Sequence, residues 1–211
     1  MDALSDHGLT TTGLMPTGEG RVLVIACGAL AREILTLIKL NDWHHITLTC
    51  LPAILHNTPG RITPAVRETI QRHRADYDRI FVAYADCGTG GGLTQLCNEL
   101  GVTMIEGPHC YSFFEGNAAF AARAEDDFRT FYLTDFLARQ FEAFVIVPLG
   151  LDRHPELRDA YFGHYEKLTY LAQTEDADLT EKAKAAASRL GLSFERKFTG
   201  YGDLDTALEQ V

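Results

Sequence analysis

The strongest constraint on this chain is a repeated pattern: short apolar runs rich in β-branched residues, each followed by a stretch with helical periodicity. Residues 21–26 (RVLVIA), 46–50 and 79–85 (RIFVAYA) read as buried strands of a parallel sheet. Residues 29–40 follow the first run and place Leu30, Ile34, Leu37 and Ile38 on one helical face. A second helix is expected over residues 63–75, with Thr63 as its cap and Pro64 in its first turn. A third covers residues 93–100 and stops at Gly101. Residues 102–105 form a fourth strand. Beyond it the spacing predicts helices over 111–124, 135–144, 155–165, 179–190 and 204–210, and strands over 131–133, 167–172 and 192–197. Strand and helix alternation implies an α/β fold: a mainly parallel sheet with helices on both faces, three-layered and Rossmann-like. Residues 21–211 are expected to form a single domain. Residues 1–20 are polar and rich in Thr and Gly, and are expected to be a flexible tail.

At 211 residues the chain can bury a core without covalent staples. Its net charge is −10, and Lys and Arg are scattered without a basic run. Phosphate backbones require clustered positive charge, so nucleic acid is excluded as an expected partner. An anionic membrane surface is disfavoured likewise. No apolar stretch approaches the roughly 20 residues that span a bilayer, and the first residues lack a signal-peptide core. A cytoplasmic, reducing compartment is therefore expected, in which five cysteines mean packing, metal or redox chemistry and not a disulfide framework.

Ligands of open α/β sheets sit at the carboxyl ends of the strands. Cys27 ends the first strand, Cys87 ends the third, and Cys110 follows the fourth, so all three fall on one rim. A thiol placed just before a helix is near unpaired N–H groups, which favour the thiolate. His56, in the loop after the second strand, and His109, beside Cys110, share that rim. Three thiolates with a histidine suit zinc. Three thiolates and one open iron suit an iron–sulfur cluster. Cys97, on the apolar face of its helix, and Cys50 read as packing residues.

The segment Cys87-Gly88-Thr89-Gly90-Gly91-Gly92 links a strand to a helix. It could cradle a phosphate, but it is neither a dinucleotide fingerprint nor a P-loop. The preferred reading is close backbone approach around a bound group, with Gly28, Gly88 and Gly90 as cofactor-binding positions. Asp86 and Glu115 are expected as a helix cap and a solvated acid, with general-base or supporting roles as the alternative.

Ala26-Cys27-Gly28, residues 51–57 (LPAILHN), Tyr84 through Gly88, His109-Cys110 and residues 131–134 (FYLT) together resemble the domain-of-unknown-function family numbered sixteen thirty-eight. The similarity is expected from about Val22 to the C-terminus. Members are often encoded beside corrinoid-dependent methyltransferases, corrinoid-binding proteins and their reductive activators. The resemblance thus implies a role in one-carbon or methylated-amine metabolism; joined to the cysteine rim, it leads to the expectation of a metal-binding protein, with zinc first, that acts in or assists corrinoid-dependent methyl transfer, a corrinoid protein or methyltransferase being its partner. The alternatives are an iron–sulfur protein donating electrons to the corrinoid, a metal-free redox or persulfide protein using Cys27 and Cys87, and a non-catalytic adaptor.

Overall fold

The computed structural model describes residues 4–123 and 127–211. By internal contacts they form two compact units, Met1–Phe113 with Asp203–Val211, and Phe114–Gly202. The fold is α/β, with a mixed, mostly parallel sheet in the first unit and an all-parallel sheet in the second.

The first unit holds α1 (Asp6–Thr11), β1 (Leu14–Thr17), β2 (Val22–Cys27), α2 (Ala31–Leu40), β3 (Ile46–Leu51), α3 (Ile62–His73), β4 (Arg79–Ala83), α4 (Gly92–Leu100) and β5 (Thr103–Met104). Its sheet runs β1-β3-β2-β4-β5. The most apolar run, β2, takes the centre, where both edges and both faces are covered; Leu23, Val24, Ile25 and Ala26 are fully buried. It pairs in parallel with β3 and β4, so that Ala26 faces Cys50 on one side and Ala83 on the other. This register sets Cys27 and the chain after β4 side by side at the carboxyl end of the sheet. Helix α4 ends where expected, with Gly101 left-handed at φ 62°. Helix α3 begins one residue before the expected Thr63 cap, because a 3-10 turn at Pro59–Arg61 leads directly into it.

Residues 4–20 are not a tail. Ser5 caps α1 by accepting the Gly8 N–H at 3.0 Å, and Arg32 pairs with Asp6 at 2.8 Å. Leu9 is 2% exposed. Strand β1 adds antiparallel to the edge of β3. Two buried threonines of β3 fasten it: Thr49 donates to the Leu14 carbonyl at 2.8 Å and Thr47 to the Gly20 carbonyl at 2.9 Å. Residues 1–3 of the expected tail lie outside the described residues.

The second unit carries β6 (Thr130–Leu133), α7 (Asp135–Arg139), α8 (Arg158–Phe162), β7 (Lys167–Ala172), α9 (Ala177–Leu190) and β8 (Ser193–Phe198), its sheet running β6-β7-β8 in parallel. Leu133, Leu168, Tyr170 and Ala172 pack with Ala183, Ala186, Ala187 and Leu190 of α9 in its core. Asp135, 1% exposed, joins the ends of two strands: its carboxylate accepts from the Tyr170 hydroxyl at 2.7 Å, the Gln173 N–H at 3.0 Å and the Thr174 hydroxyl at 2.6 Å. Three donors converge on its two oxygens, so the network fixes this buried side chain in place.

The expected helix over 111–124 is broken by Gly116 at φ 92° into α5 (Ser112–Glu115) and α6 (Asn117–Ala121), and its last residue, 124, lies outside the described residues. The helix expected over 135–144 stops at Arg139 and resumes as a π-helical turn, Glu142–Ile146. The one expected over 155–165 shortens to α8 behind a 3-10 turn at Pro155–Leu157. Helix α10 (Asp203–Leu208) closes the chain, within the first unit. No helix among the described residues is long and apolar enough to cross a membrane.

Candidate functional site: a thiol cluster on the sheet rim

Cys27 and Cys87 meet because β2 and β4 are neighbours. Cys110 joins them because two backbone hydrogen bonds clasp the two loops: the Asp86 N–H donates to the Gly107 carbonyl at 2.9 Å, and the Cys87 N–H to the Pro108 carbonyl at 3.0 Å. The result is a Cys87–Cys110 sulfur pair 3.3 Å apart. Cys87 and Cys27 are only 5% and 6% exposed, whereas Cys110 is partly exposed.

The pair is electrostatically asymmetric. The Cys110 thiol hydrogen-bonds to Cys87 and holds its pKa well below the usual thiol range, against the opposing effect of burial; His56 beside it acts in the same direction as Cys110. The same contact, with burial, pushes Cys110 up. Cys27 departs from expectation. The nearby Ala29 N–H does favour its thiolate, but complete burial outweighs that and pushes the pKa up to about 12. Cys27 therefore enters the cluster as a neutral thiol. The His109 ring stacks on Tyr111 at 4.9 Å; burial lowers its pKa, opposed by Cys87.

The backbone at Cys87 is left-handed, with φ 47°. A side chain other than glycine there costs on the order of 1–2 kcal/mol. The adjoining turn explains the geometry. The Asp86 carboxylate accepts from the Thr89 hydroxyl at 2.7 Å and from the N–H groups of Gly90 and Gly91 at 3.1 and 2.6 Å. Gly90 and Gly91 have φ 63° and 82°, so the backbone curls round the carboxylate. The N–H groups that a phosphate would use are thus directed at the chain's own anion. Asp86 is a staple of the loop where a helix cap was expected. Gly28 serves close approach, but to protein: a Cβ there would stand 2.3 Å from the Leu9 carbonyl oxygen. At Gly88 a Cβ would touch Pro59 at 3.2 Å, and at Gly90 it would meet nothing within 4 Å.

Sequence reasoning missed Tyr84. It lies one residue beyond β4, inside an apolar run, and so reads as strand packing. In the structure it is 2% exposed and its hydroxyl lies beside Cys27, yet it makes no hydrogen bond of ordinary geometry. Its place in the family-like segment from Tyr84 to Gly88, and a polar atom embedded in a strand-end run, are the signals that could have found it. Cys50 is buried in β3 and Cys97 in α4, where burial raises the Cys97 thiol to about 11. Glu115 is not a solvated acid: its carboxylate is paired to Arg123 and Lys197.

The rim gathers Cys27, Cys87, Cys110, His56 and His109, but it does not preform a cage. Among the described residues, no three His, Cys, Asp or Glu side chains stand in an arrangement that would hold a metal ion as they are.

Fold and rim define an α/β protein with a thiol pair at the carboxyl edge of a mostly parallel sheet. The chain belongs to the family described as a protein of unknown function, DUF1638, whose model matches residues 50–208. That span contains His56, Cys87, His109 and Cys110; it begins later than the expected Val22 and leaves out Ala26-Cys27-Gly28. No curated protein and no solved structure matches the chain.

Proposed function

We propose that the chain is a metal–thiolate protein, with Cys87 and Cys110 as the primary ligands of zinc and with Cys27 and one imidazole, His56 or His109, completing the set. One observation carries this reading: a cysteine at a left-handed backbone position, where glycine would be relaxed, holds its sulfur 3.3 Å from a second cysteine. The donor chemistry fits. Thiolate and imidazole are the usual zinc donors, and Cys87 is already biased towards thiolate. The geometry requires movement. The two sulfurs and an imidazole would have to shift to hold the ion, since no three donors among the described residues stand ready for it as they are.

Zinc held by these residues would supply Lewis acidity. The protein's own residues do the rest: burial keeps bulk water from Cys27 and Cys87, and Asp86 fixes the loop that aims Cys87. The family setting described above supports methyl transfer from a corrinoid as the reaction class, with a corrinoid protein or methyltransferase as the partner. Five free cysteines support a reducing, cytoplasmic setting.

The test is elemental analysis of the full chain purified anaerobically. About one zinc per chain is expected, lost in Cys87→Ser and Cys110→Ser and kept in Cys97→Ser. Metal-free protein with all thiols titratable would sink the reading, and iron with sulfide absorption bands would replace zinc by a cluster.

A further inference from the structure

The spacing of the Cys87–Cys110 pair lies between two bonded states. Sulfurs in a disulfide are ~2.05 Å apart; those sharing a tetrahedral zinc are about 3.8 Å apart. At 3.3 Å the pair can close or open with little movement. The backbone already holds the two loops together through the Asp86–Gly107 and Cys87–Pro108 hydrogen bonds. The Ser112 N–H and hydroxyl, at 3.0 and 2.7 Å from the His109 carbonyl, fix the segment carrying Cys110. Of the five cysteines only Cys110 is partly exposed, so a small oxidant meets the pair before it meets any other thiol.

We propose that Cys87 and Cys110 are a modification site for hydroperoxides, and that the disulfide they form closes the rim to metal. The second half rests on the metal reading above; the first does not.

The chemistry balances. The Cys87 sulfur attacks one peroxide oxygen and the O–O bond breaks. Hydroxide, or alkoxide from an organic hydroperoxide, leaves, and Cys87 becomes a sulfenic acid. The sulfur has given up two electrons and the peroxide has taken them. The Cys110 sulfur then attacks Cys87, the S–O bond breaks, and the departing hydroxide takes the Cys110 proton as water. Two thiols and one hydrogen peroxide thus give one disulfide and two waters. Two equivalents of a low-molecular-weight thiol reverse it by exchange, becoming the external disulfide.

The experiment treats the chelator-stripped full chain with stoichiometric hydrogen peroxide. Titratable thiols are expected to fall from five to three. Residues 80–122 contain no Lys or Arg, so trypsin leaves Cys87, Cys97 and Cys110 on one peptide. Cleavage at Met104 separates Cys110 from the other two, and the bond then appears as two linked fragments. Carrying Cys97→Ser in parallel assigns the link to Cys87. The oxidised chain is expected to lose at least tenfold in zinc affinity, and reduction to restore it. Five thiols remaining, or a bond at Cys27, Cys50 or Cys97, overturns the modification site. Linked fragments with unchanged zinc affinity, or with no zinc bound even when reduced, overturn the closure and leave the disulfide standing.

Discussion

Asp86 fills from within the cradle that glycine-rich turns offer to anions. Its pKa lies below the usual carboxylate range, first because of the Thr89 hydroxyl and then the Gly91 N–H. A depressed native pKa means that the stabilisation is complete above the unfolded value, near 3.9, and is lost as pH falls through the lower native value. In metal-free protein, Asp86→Asn is expected to cost about 1 kcal/mol at neutral pH. In paired urea titrations that difference should vanish in strong acid; a difference independent of pH would refute the staple. Two tyrosines give a second contrast. Tyr84→Phe removes a hydroxyl without an ordinary hydrogen bond and should change stability by less than about 1 kcal/mol. Tyr170→Phe takes a donor from buried Asp135 and should cost roughly 1–3 kcal/mol by the same measurement. At this scale the sequence was informative about Cys27, Cys87 and Cys110, because strand ends can be read from apolar runs. It named Tyr84 only within the family-like segment, without a role, and was misleading on Asp86, whose partners are the Thr89 hydroxyl and backbone N–H groups that the glycines expose only by folding.

Elements held by apolar periodicity were legible and those held by polar contacts were not. Strand β2 is a continuous apolar run, β4 is one after its first residue, β3 alternates apolar residues with two threonines, and α4 is closed by a glycine. The N-terminal segment has one buried leucine, and its strand is fixed by backbone pairing and by threonines of β3, so its own composition resembles a loop. Its removal has a definite consequence. Deleting residues 1–18 uncovers the β3 edge and is expected to lower the midpoint of thermal unfolding and promote association, seen by light scattering. Gly28→Ala is a gentler version: a Cβ at 2.3 Å from the Leu9 carbonyl must displace α1. Hydrogen exchange of Asp6–Thr11 should accelerate at least tenfold while β2 stays protected. Unchanged exchange in α1 would mean that this contact is not what seats the helix.

Strand periodicity does not encode partners, so β6, β7 and β8 read like further members of one sheet, and a single domain followed from that reading. Among the described residues, eight strands divide between two sheets. It also returns the last helix to the first unit, where Leu204 and Leu208 are buried and Arg79 donates to the Gln210 carbonyl at 3.2 Å. In native-state hydrogen exchange under mild denaturant, α10 is expected to open together with β2 and β4 and not with the neighbouring β8. Opening in step with β8 would contradict the division. The discontinuity also imposes an order on synthesis. A ribosome delivers the whole of Phe114–Gly202 before it releases the last nine residues of the first unit. The nascent first sheet must therefore wait for its final helix until Phe114–Gly202 has been made.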